Sequence, residues 1–208
     1  MGKLIPLDPS RVSTRIVETA AKTVRSGGIF IYPTDTIYGI GCDASNSEAV
    51  KRIFELKRRP QNKPALVLAY NRSMIWDLVS DIPPSAERLM DQFWPGPLTI
   101  LLRARRNTHP FLRSREWTIG VRIPDNRFCL KLLARCRVPI VSTSANLSGA
   151  LPDRSVLMSH FLDQVDLFID AGELPPSLPS TVIDVTGKTP RIVREGAIAE
   201  TAIFKVLA

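Results

Sequence analysis

The sequence predicts an α/β fold, because helical and strand-like segments alternate along its 208 residues. Apolar residues recur at helical spacing between Val12 and Val24, and Gly27 and Gly28 end that predicted helix. The apolar run at residues 29–32 follows it as a buried strand. An alternation of this kind is typical of a sheet flanked by helices.

The same alternation continues toward the C-terminus. Ser47 opens a second helix, which ends in the cations at residues 57–59 just before Pro60. The Pro-Gly-Pro sequence at residues 95–97 predicts a rigid turn that leads into a strand. The remaining predicted helices are residues 74–79, 83–94, 125–135 and 156–161 and a C-terminal segment, and the remaining predicted strands are residues 65–69, 98–102, 119–123, 139–141, 167–169, 181–185 and 192–193.

No repeat, low-complexity tract or long linker interrupts the sequence, which predicts a single domain over residues 1–208. The three cysteines, Cys42, Cys129 and Cys136, form no C-x-x-C pair, which argues against a disulfide scaffold and a Cys-based zinc site. The N-terminal segment does not resemble a signal peptide, and no apolar run approaches the roughly 20 residues of a membrane span. We therefore expect a soluble, cytoplasmic protein with no membrane contact and no protein-bound structural metal.

The chain is strongly basic, with 28 Lys and Arg against 20 Asp and Glu and a formal net charge of +8. The excess is uneven: residues 1–138 carry 23 basic and 12 acidic side chains, a balance of +11, whereas residues 139–208 carry 5 and 8, a balance of −3. Such a charge indicates either an anionic partner, such as nucleic acid or a phosphate compound, or a solvated basic surface. Charge alone leaves both interpretations open.

Two segments have side chains suited to a polar or anionic ligand. Thr34, Asp35 and Thr36 follow a predicted strand, where open α/β sheets bind ligands, although such side chains also stabilise turns. Four cations lie within the seven positions from Lys57 to Lys63, which suits a polyphosphate. The alternative is a group of cations favoured by the dipole at a helix C-terminus.

Two further segments carry candidate binding residues. Arg122 lies in an otherwise apolar strand, and a buried arginine needs a partner, either a ligand anion or a protein acid such as Asp125. Residues 139–149 run from an apolar strand into four hydroxyls, Asn146 and Gly149. A helix cap rarely needs so many polar groups, so this stretch favours a loop that binds phosphate, ribose or base.

Several common catalytic signatures are absent from the sequence. It contains no P-loop, no G-x-S-x-G and no H-E-x-x-H, and His109 and His160 lie far apart. P-loop, serine-hydrolase and zinc-enzyme functions are therefore not predicted.

Seven segments, in this order, make the chain similar to the YrdC/YciO family of threonylcarbamoyl-adenylate synthases. They are residues 33–39, the K-x-R of 57–59 with Pro60, and residues 94–99, 121–124, 142–146, 180–181 and 194–196. Each motif is modest alone, but their order is specific and the resemblance spans about residues 10–200. It implies one YrdC-like domain, in which a large twisted, mainly parallel or mixed sheet with flanking helices lines a concave basic cleft.

The resemblance also implies an activity. Members of this family are nucleotidyltransferases that form threonylcarbamoyl-AMP and pyrophosphate from L-threonine, bicarbonate and ATP with Mg²⁺. The product serves the N6-threonylcarbamoyladenosine (t6A37) modification of tRNA through separate threonylcarbamoyl-transfer proteins. Such a reaction needs placed cations and oriented substrates more than a nucleophile, so we assign no residue as nucleophile or acid–base catalyst.

The resemblance further implies two groups of site residues. Those matching the threonine-binding positions are Thr36, Arg122, Ser142 and Ser180, with Arg122 on the threonine carboxylate. Those matching the ATP-binding positions are Lys57, Arg59, Lys63, Thr118, Ser144, Asn146 and Arg194. Many members have Asn in place of Lys63 and His in place of Leu68, and Leu68 cannot donate a hydrogen bond to threonine.

Two alternative functions remain open. The first is a YciO-like paralogue with another adenylation substrate, because the sequences of residues 181–184 and 193–196 resemble the YciO branch. The K-x-R motif and the S-x-N motif of Ser144 and Asn146 favour the synthase. The second is a non-catalytic RNA-binding protein with the same basic cleft, motivated by the +8 charge. Only 7% of the residues are aromatic and no RNP-type stacking motif is present, so RNA or tRNA contact through the basic surface rests on charge alone.

Overall fold

The computed structural model describes residues 2–146 and 154–208. The strands are β1 Lys3–Pro6, β2 Phe30–Tyr32, β3 Gly39–Asp43, β4 Leu66–Leu68, β5 Leu98–Arg103, β6 Thr118–Arg122, β7 Ile140–Ser144, β8 Leu167–Asp170, β9 Thr181–Asp184 and β10 Arg191–Arg194. The helices are α1 Thr14–Arg25, α2 Ser47–Leu56, α3 Arg72–Trp76, α4 Pro84–Phe93, α5 Arg127–Cys136, α6 Arg154–Phe161 and α7 Glu200–Leu207, with a 3₁₀ turn at Pro110–Leu112.

The ten strands within the described residues join one mixed sheet in the order β1-β8-β2-β3-β7-β4-β6-β5-β9-β10. Four neighbouring pairs are parallel, namely β1–β8, β8–β2, β4–β6 and β5–β9, and the other five are antiparallel. The predicted α/β class and mixed sheet are confirmed, with parallel pairs slightly in the minority. The assignment of residues 1–208 to a single domain stays a prediction.

Alternation along the strands sends side chains to two different environments. On one face, residues such as Val67, Ile100 and Val141 pack with apolar side chains of α2, α3, α4, α6 and α7. On the other face, residues such as Phe30 and Ile140 pack against α1 and α5. The apolar cluster around these two described helices spans the β1–β7 half of that face and extends to Leu66 and Leu68 of β4. The rest of the face, toward β6, β5 and β9, is left for the site.

Side-chain caps explain where several helices begin. Asn46 accepts a hydrogen bond from Ala49 N at 3.0 Å, and Asn126 accepts one from Cys129 N at 3.0 Å. Ser13 makes the corresponding contact at the start of α1. Each cap satisfies a backbone N–H that the first turn leaves unpaired. None of the helices in the described residues is long and apolar enough to cross a membrane.

The structure differs from the predicted elements at three strands. β1 lies at the sheet edge and is mostly exposed, so its sequence carries no clear alternation. β3 contains Gly39 and Gly41, residues that disfavour strands, and no strand is predicted there from the sequence. β7 extends through Ser142 to Ser144, so three residues predicted as loop belong to a central strand.

Gly41 is required by the close approach of β3 to its neighbour. A Cβ added there would lie 2.4 Å from Val141 O and 3.0 Å from both Ile140 Cγ2 and Tyr32 Cε1. We predict that Gly41→Ala lowers the free energy of unfolding by about 1–3 kcal/mol, the usual cost of overpacking, as measured by urea denaturation. Gly187→Ala is the matched control, since its Cβ would meet nothing nearer than Thr189 O at 3.8 Å. Equal stability of the two variants would contradict this packing argument.

A buried lysine ties the end of α2 to the end of β7. Lys57 is 1% exposed, and its Nζ donates to Thr143 Oγ1 at 3.0 Å and to the Ser144 carbonyl. Burial, and secondarily the charge of Arg59, lowers the Lys57 pKa to about 7. The amine form retains two N–H donors, so both bonds survive loss of the proton.

This burial predicts a specific pH dependence of stability. Between about pH 7 and pH 10.4 the unfolded chain keeps the Lys57 proton and the folded chain releases it, so the Lys57 contribution to stability rises with pH. We expect the free energy of unfolding of wild type to rise relative to that of Lys57→Met across this window. The difference between the two should increase with a slope approaching about 1.4 kcal/mol per pH unit. Denaturation at several pH values measures the difference. Lys51→Met, at an exposed position of α2, should show no such slope, and parallel profiles for Lys57→Met and wild type would refute the prediction.

Candidate functional site

The open half of the sheet forms the floor of a cleft of about 1010 Å³. Leu66, Leu68, Gly120 and Leu101 provide an apolar floor, because alternate residues of β4, β6 and β5 point to this face. The volume lies at the upper end of the range of about 300–1,000 Å³ that is usual for ligand pockets. Its charged lining residues are Arg59, Arg122, Arg191, Arg194, Glu116 and Asp184.

The cleft brings together nine of the eleven site residues expected from sequence. These are Thr36, Arg59, Thr118, Arg122, Ser142, Ser144, Asn146, Ser180 and Arg194. Lys57 is buried behind the residues that line the cleft. Lys63 is exposed outside the lining, and its carbonyl accepts a hydrogen bond from Arg59 Nε at 2.7 Å. Leu68 lies in the floor, where it offers only apolar contact. The ligand roles of these residues stay predictions.

Arg122 has three protein partners, contributed by two separate segments. Its Nε donates to Gly96 O at 2.9 Å, and its Nη1 donates to Thr36 Oγ1 at 3.4 Å. Its Nη2 lies 2.6 Å from Asp35 Oδ1 in a buried ion pair. The protein acid beside Arg122 is therefore Asp35, and the sequence-based alternative of Asp125 is wrong.

Two hydroxyls in the cleft are oriented by other buried hydroxyls. Tyr32 Oη donates to Ser142 Oγ at 2.8 Å, and burial raises the pKa of Tyr32, so it remains a phenol. Because Ser142 accepts this bond, its own hydrogen is left to donate. Ser180 Oγ lies 2.9 Å from Thr99 Oγ1 and accepts from Arg194 Nη2 at 3.1 Å. The cleft thus presents hydroxyls with restricted orientations.

Arg194 repels two other arginines of the cleft, Arg59 and Arg122. Burial lowers the pKa of Arg59, and the charge of Arg194 lowers it further. Partial burial lowers the pKa of Arg194, with a further contribution from Arg122. An anion placed between like charges reduces the repulsion between them. This part of the cleft therefore favours a phosphate or carboxylate ligand.

The end of β7 connects Arg59 to the hydroxyl-rich segment. Arg59 Nη1 donates to Thr143 Oγ1 at 3.3 Å, and its Nη2 donates to Pro64 O at 2.9 Å. Ser144 Oγ donates to Asn146 Oδ1 by a short hydrogen bond. Ser148 and Gly149, the last part of the predicted polar stretch, lie outside the described residues. What the structure describes is a strand end that places Ser144 and Asn146 beside Arg59.

Gly196 explains why Arg194 lies against Ser180. A Cβ at position 196 would lie 2.1 Å from Pro179 O and 2.7 Å from the Ser180 carbonyl carbon. Ala197 N donates to Pro179 O at 2.9 Å, so the two backbone segments touch. Arg194 Nε and Nη2 both donate to Ser180 O, at 3.1 and 2.7 Å.

Sequence reasoning left four supporting residues unassigned. Tyr32, Asp35, Thr99 and Thr143 hold, respectively, Ser142, Arg122, Ser180 and the Lys57–Arg59 pair. Asp35, Thr99 and Thr143 lie inside matched motifs, which was the signal available for them, whereas Tyr32 lies in the predicted strand just before the first motif. The carboxylates that line the cleft are Glu116 and Asp184, and nowhere in the described residues do three His, Cys, Asp or Glu side chains form a metal-binding group.

Comparisons with known proteins agree with this architecture. The family model Sua5/YciO/YrdC, described as "Telomere recombination", matches residues 22–196. The chain is 35% identical over 199 residues to a threonylcarbamoyl-AMP synthase of Pyrococcus abyssi and 34% identical over 194 residues to one of Bacillus subtilis. These matches cover 95% and 92% of the chain but only 58% and 56% of the relatives, so the chain spans little more than half of their length.

Solved structures show the same fold. The P. abyssi Sua5 complexed with L-threonine superimposes with a TM-score of 0.91 at 32% identity, covering 100% of this chain and 61% of that one. The E. coli YciO structure superimposes with a TM-score of 0.88 at 31% identity, covering 98% of this chain and 100% of that one. With the family model spanning most of the sequence and these relatives above 30% identity, the chain belongs to the Sua5/YciO/YrdC family.

Proposed function

We propose that the chain is an L-threonylcarbamoyladenylate synthase, a nucleotidyltransferase that makes threonylcarbamoyl-AMP and pyrophosphate from L-threonine, bicarbonate and ATP. The observation that carries the proposal is the convergence of Arg59, Arg122 and Arg194 with oriented hydroxyls in one cleft. Such a site suits two anionic substrates that must be held side by side. The names of the curated relatives support the same reaction.

We place threonine at the end of the cleft around Arg122. The guanidinium would bind the threonine carboxylate through N–H groups left over from Gly96 and Thr36. Ser142, with its free hydroxyl hydrogen, and Ser180, held by Thr99, would meet the remaining polar groups of the amino acid. Leu68 would contribute apolar contact only. The threonine-bound Sua5 structure supports an amino-acid site in this fold.

We place the ATP phosphates beside the other two arginines of the cleft. Arg59 bonds to Thr143 of β7, close to the polar groups of Ser144 and Asn146. Thr118 on β6 and Arg194 on β10 line the same cleft. Lys57 would act on this end from behind the wall, through Thr143 and the Ser144 carbonyl. Lys63 would add charge from outside the lining. Mg²⁺ would enter as part of the substrate MgATP, held mainly by phosphate oxygens and water.

The chemistry follows from this placement. The threonine amine attacks CO₂ and loses a proton to form a carbamate. From bicarbonate the same carbamate forms with loss of water. A carbamate oxygen then attacks the α-phosphorus, the bond to the β-phosphate oxygen breaks, and pyrophosphate leaves. Negative charge accumulates on phosphate oxygens, where the fixed guanidiniums stabilise it. Holding both substrates in one cleft also removes much of the entropic cost of their encounter.

The proposal extends to the fate of the product. Threonylcarbamoyl-AMP would pass to separate proteins that transfer the threonylcarbamoyl group to tRNA, in the cytoplasm. Contact of tRNA or RNA with this chain stays a prediction. Arg106 and Arg115, which are exposed in the β5–β6 connection, are among the basic side chains available for it.

A second candidate function is that of a YciO-like paralogue with another adenylation substrate. The structural likeness to E. coli YciO supports it, as does the apolar Leu68 beside the proposed threonine position. Both functions use the same phosphate site. They differ in which acyl substrate enters beside Arg122.

The decisive test is pyrophosphate release. Protein incubated with ATP, Mg²⁺, bicarbonate and L-threonine is expected to release pyrophosphate in a threonine-dependent manner. A coupled pyrophosphatase assay measures the release. Serine and other amino acids, tested in parallel, separate the synthase from a paralogue with another substrate.

Two outcomes would count against the proposal. Pyrophosphate release with a different amino acid and none with threonine would favour the paralogue. A salt-sensitive RNA complex in a protein that binds neither ATP nor threonine would favour the RNA-binding alternative, since phosphate contacts weaken steeply with salt.

The phosphate role of Arg59 has a matched control in its neighbour. Arg59→Gln should raise the KM for ATP by about tenfold or more, because a charge-assisted phosphate contact is worth about 1.5–3 kcal/mol. Arg58→Gln removes an exposed cation one residue away and should change the KM less than about twofold. Steady-state kinetics at saturating threonine give both values. Similar KM values for the two variants would remove Arg59 from the phosphate site.

A further inference from the structure

The Asp35–Arg122 pair lies at the boundary between the cleft and the protein interior. Arg122 lines the cleft, whereas Asp35 does not appear in its lining, and the two side chains are 5% and 10% exposed. The carboxylate therefore contacts the guanidinium from the side away from the ligand. We propose that Asp35 is a positioning residue, which holds Arg122 in the orientation that receives the carboxylate of the amino-acid substrate. This inference rests on the proposed function for its substrate.

The pair is an ion pair more than a hydrogen bond. Arg122 Nη2 and Asp35 Oδ1 are 2.6 Å apart, yet neither carboxylate oxygen nor Nη2 has a hydrogen-bond partner within the described residues. The contact is thus close but poorly aligned. Asp35 compensates the charge of the guanidinium and so keeps it in the place where Arg122 can bond to Gly96 O and Thr36 Oγ1. A buried guanidinium needs both compensation of its charge and acceptors for its N–H groups.

The local sequence makes Asp35 a rigid support. Thr34 Oγ1 donates to Ile37 O at 2.7 Å and accepts from Thr36 N at 3.1 Å, which closes the turn around residue 35. The segment begins at Pro33, whose carbonyl accepts from Cys129 Sγ at 3.4 Å. Asp35 is therefore anchored on both sides. This backbone anchoring limits how far the carboxylate can follow Arg122 if the guanidinium moves.

Removing the Asp35 charge has a predictable consequence. An uncompensated buried cation is strongly unfavourable, so Arg122 would turn toward water in the cleft and leave Gly96 and Thr36. The substrate carboxylate would then meet a mobile guanidinium in place of a fixed one. The loss concerns the amino-acid end of the cleft and leaves the cations at the ATP end in place.

The experiment compares Asp35→Asn with wild type. The dissociation constant for L-threonine, from calorimetry with a non-hydrolysable ATP analogue present, should rise by about tenfold or more, with that of the analogue changed less than about twofold. Asp166→Asn, which removes an ion-paired carboxylate opposite Arg52 outside the cleft, is the matched control and should leave threonine binding unchanged. Unchanged or tighter threonine binding in Asp35→Asn would overturn the proposal. An equal loss for both ligands would also overturn it, since that indicates general disturbance.

A double-mutant cycle tests whether Asp35 acts through Arg122. In an Arg122→Gln background, Asp35→Asn should cause no additional loss of threonine affinity, whereas additive losses would show an independent role and refute positioning.

A ligand-independent measurement keeps the inference separable from the proposed function. The Arg122 Nε–H signal, assigned by its loss in Arg122→Lys, should exchange slowly with solvent in wild type and much faster in Asp35→Asn. Slow exchange in both proteins would refute the positioning role even if no amino acid binds. Faster exchange in Asp35→Asn, in a protein that binds no threonine, would support the positioning of Arg122 and refute the proposed substrate.

Discussion

The site depends on one buried guanidinium in the middle of the sheet. Arg122 ends a central strand, where alternation points it away from the apolar core, and it is 4% exposed. A guanidinium in that position must find several partners or destabilise the fold. Its partners come from the β2–β3 connection, through Asp35 and Thr36, and from the turn at Gly96. The requirement to satisfy Arg122 therefore assembles the loops that form this end of the cleft.

The same logic extends to the other cations, at an energetic cost. Burial lowers the pKa of Lys57 and of Arg59, because the charged form of each side chain is less well solvated in the folded chain than in water. Protein carbonyls and hydroxyls offset part of this cost, as in the bonds from Arg59 to Lys63 O and Pro64 O. An anionic ligand beside Arg59 would add the negative charge that these neutral partners lack. A cleft that is unfavourable when empty binds an anion more tightly, because ligand binding relieves repulsion that folding has already imposed.

Much of the fold was predictable because local pattern determined it. The amphipathic helix α1 and the apolar strand β2 follow from periodicity, and the apolar residues of β6 isolate Arg122 as an anomaly. What could not be predicted depends on distant neighbours. β3 forms because its glycines admit the Val141 backbone and the Tyr32 ring, which no local window contains. Likewise Asp35 and Arg122 are 87 residues apart in sequence, so the motif that contained Asp35 could not indicate its partner.

The charge of the chain is better understood after its arginines are followed individually. Several of those outside the matched motifs have structural partners: Arg103 and Arg105 donate to the carbonyls of Thr186 and Val79, and Arg113 stacks on Trp117 at 3.6 Å. A cation used in this way still contributes to net charge but offers fewer donors to a phosphate backbone. A net charge of +8 is therefore weak evidence for nucleic-acid binding. The repulsion of Arg194 with Arg59 and Arg122 is stronger evidence, and it indicates an anionic ligand in the cleft. Proximity of like charges, more than their number, indicates where an anion belongs.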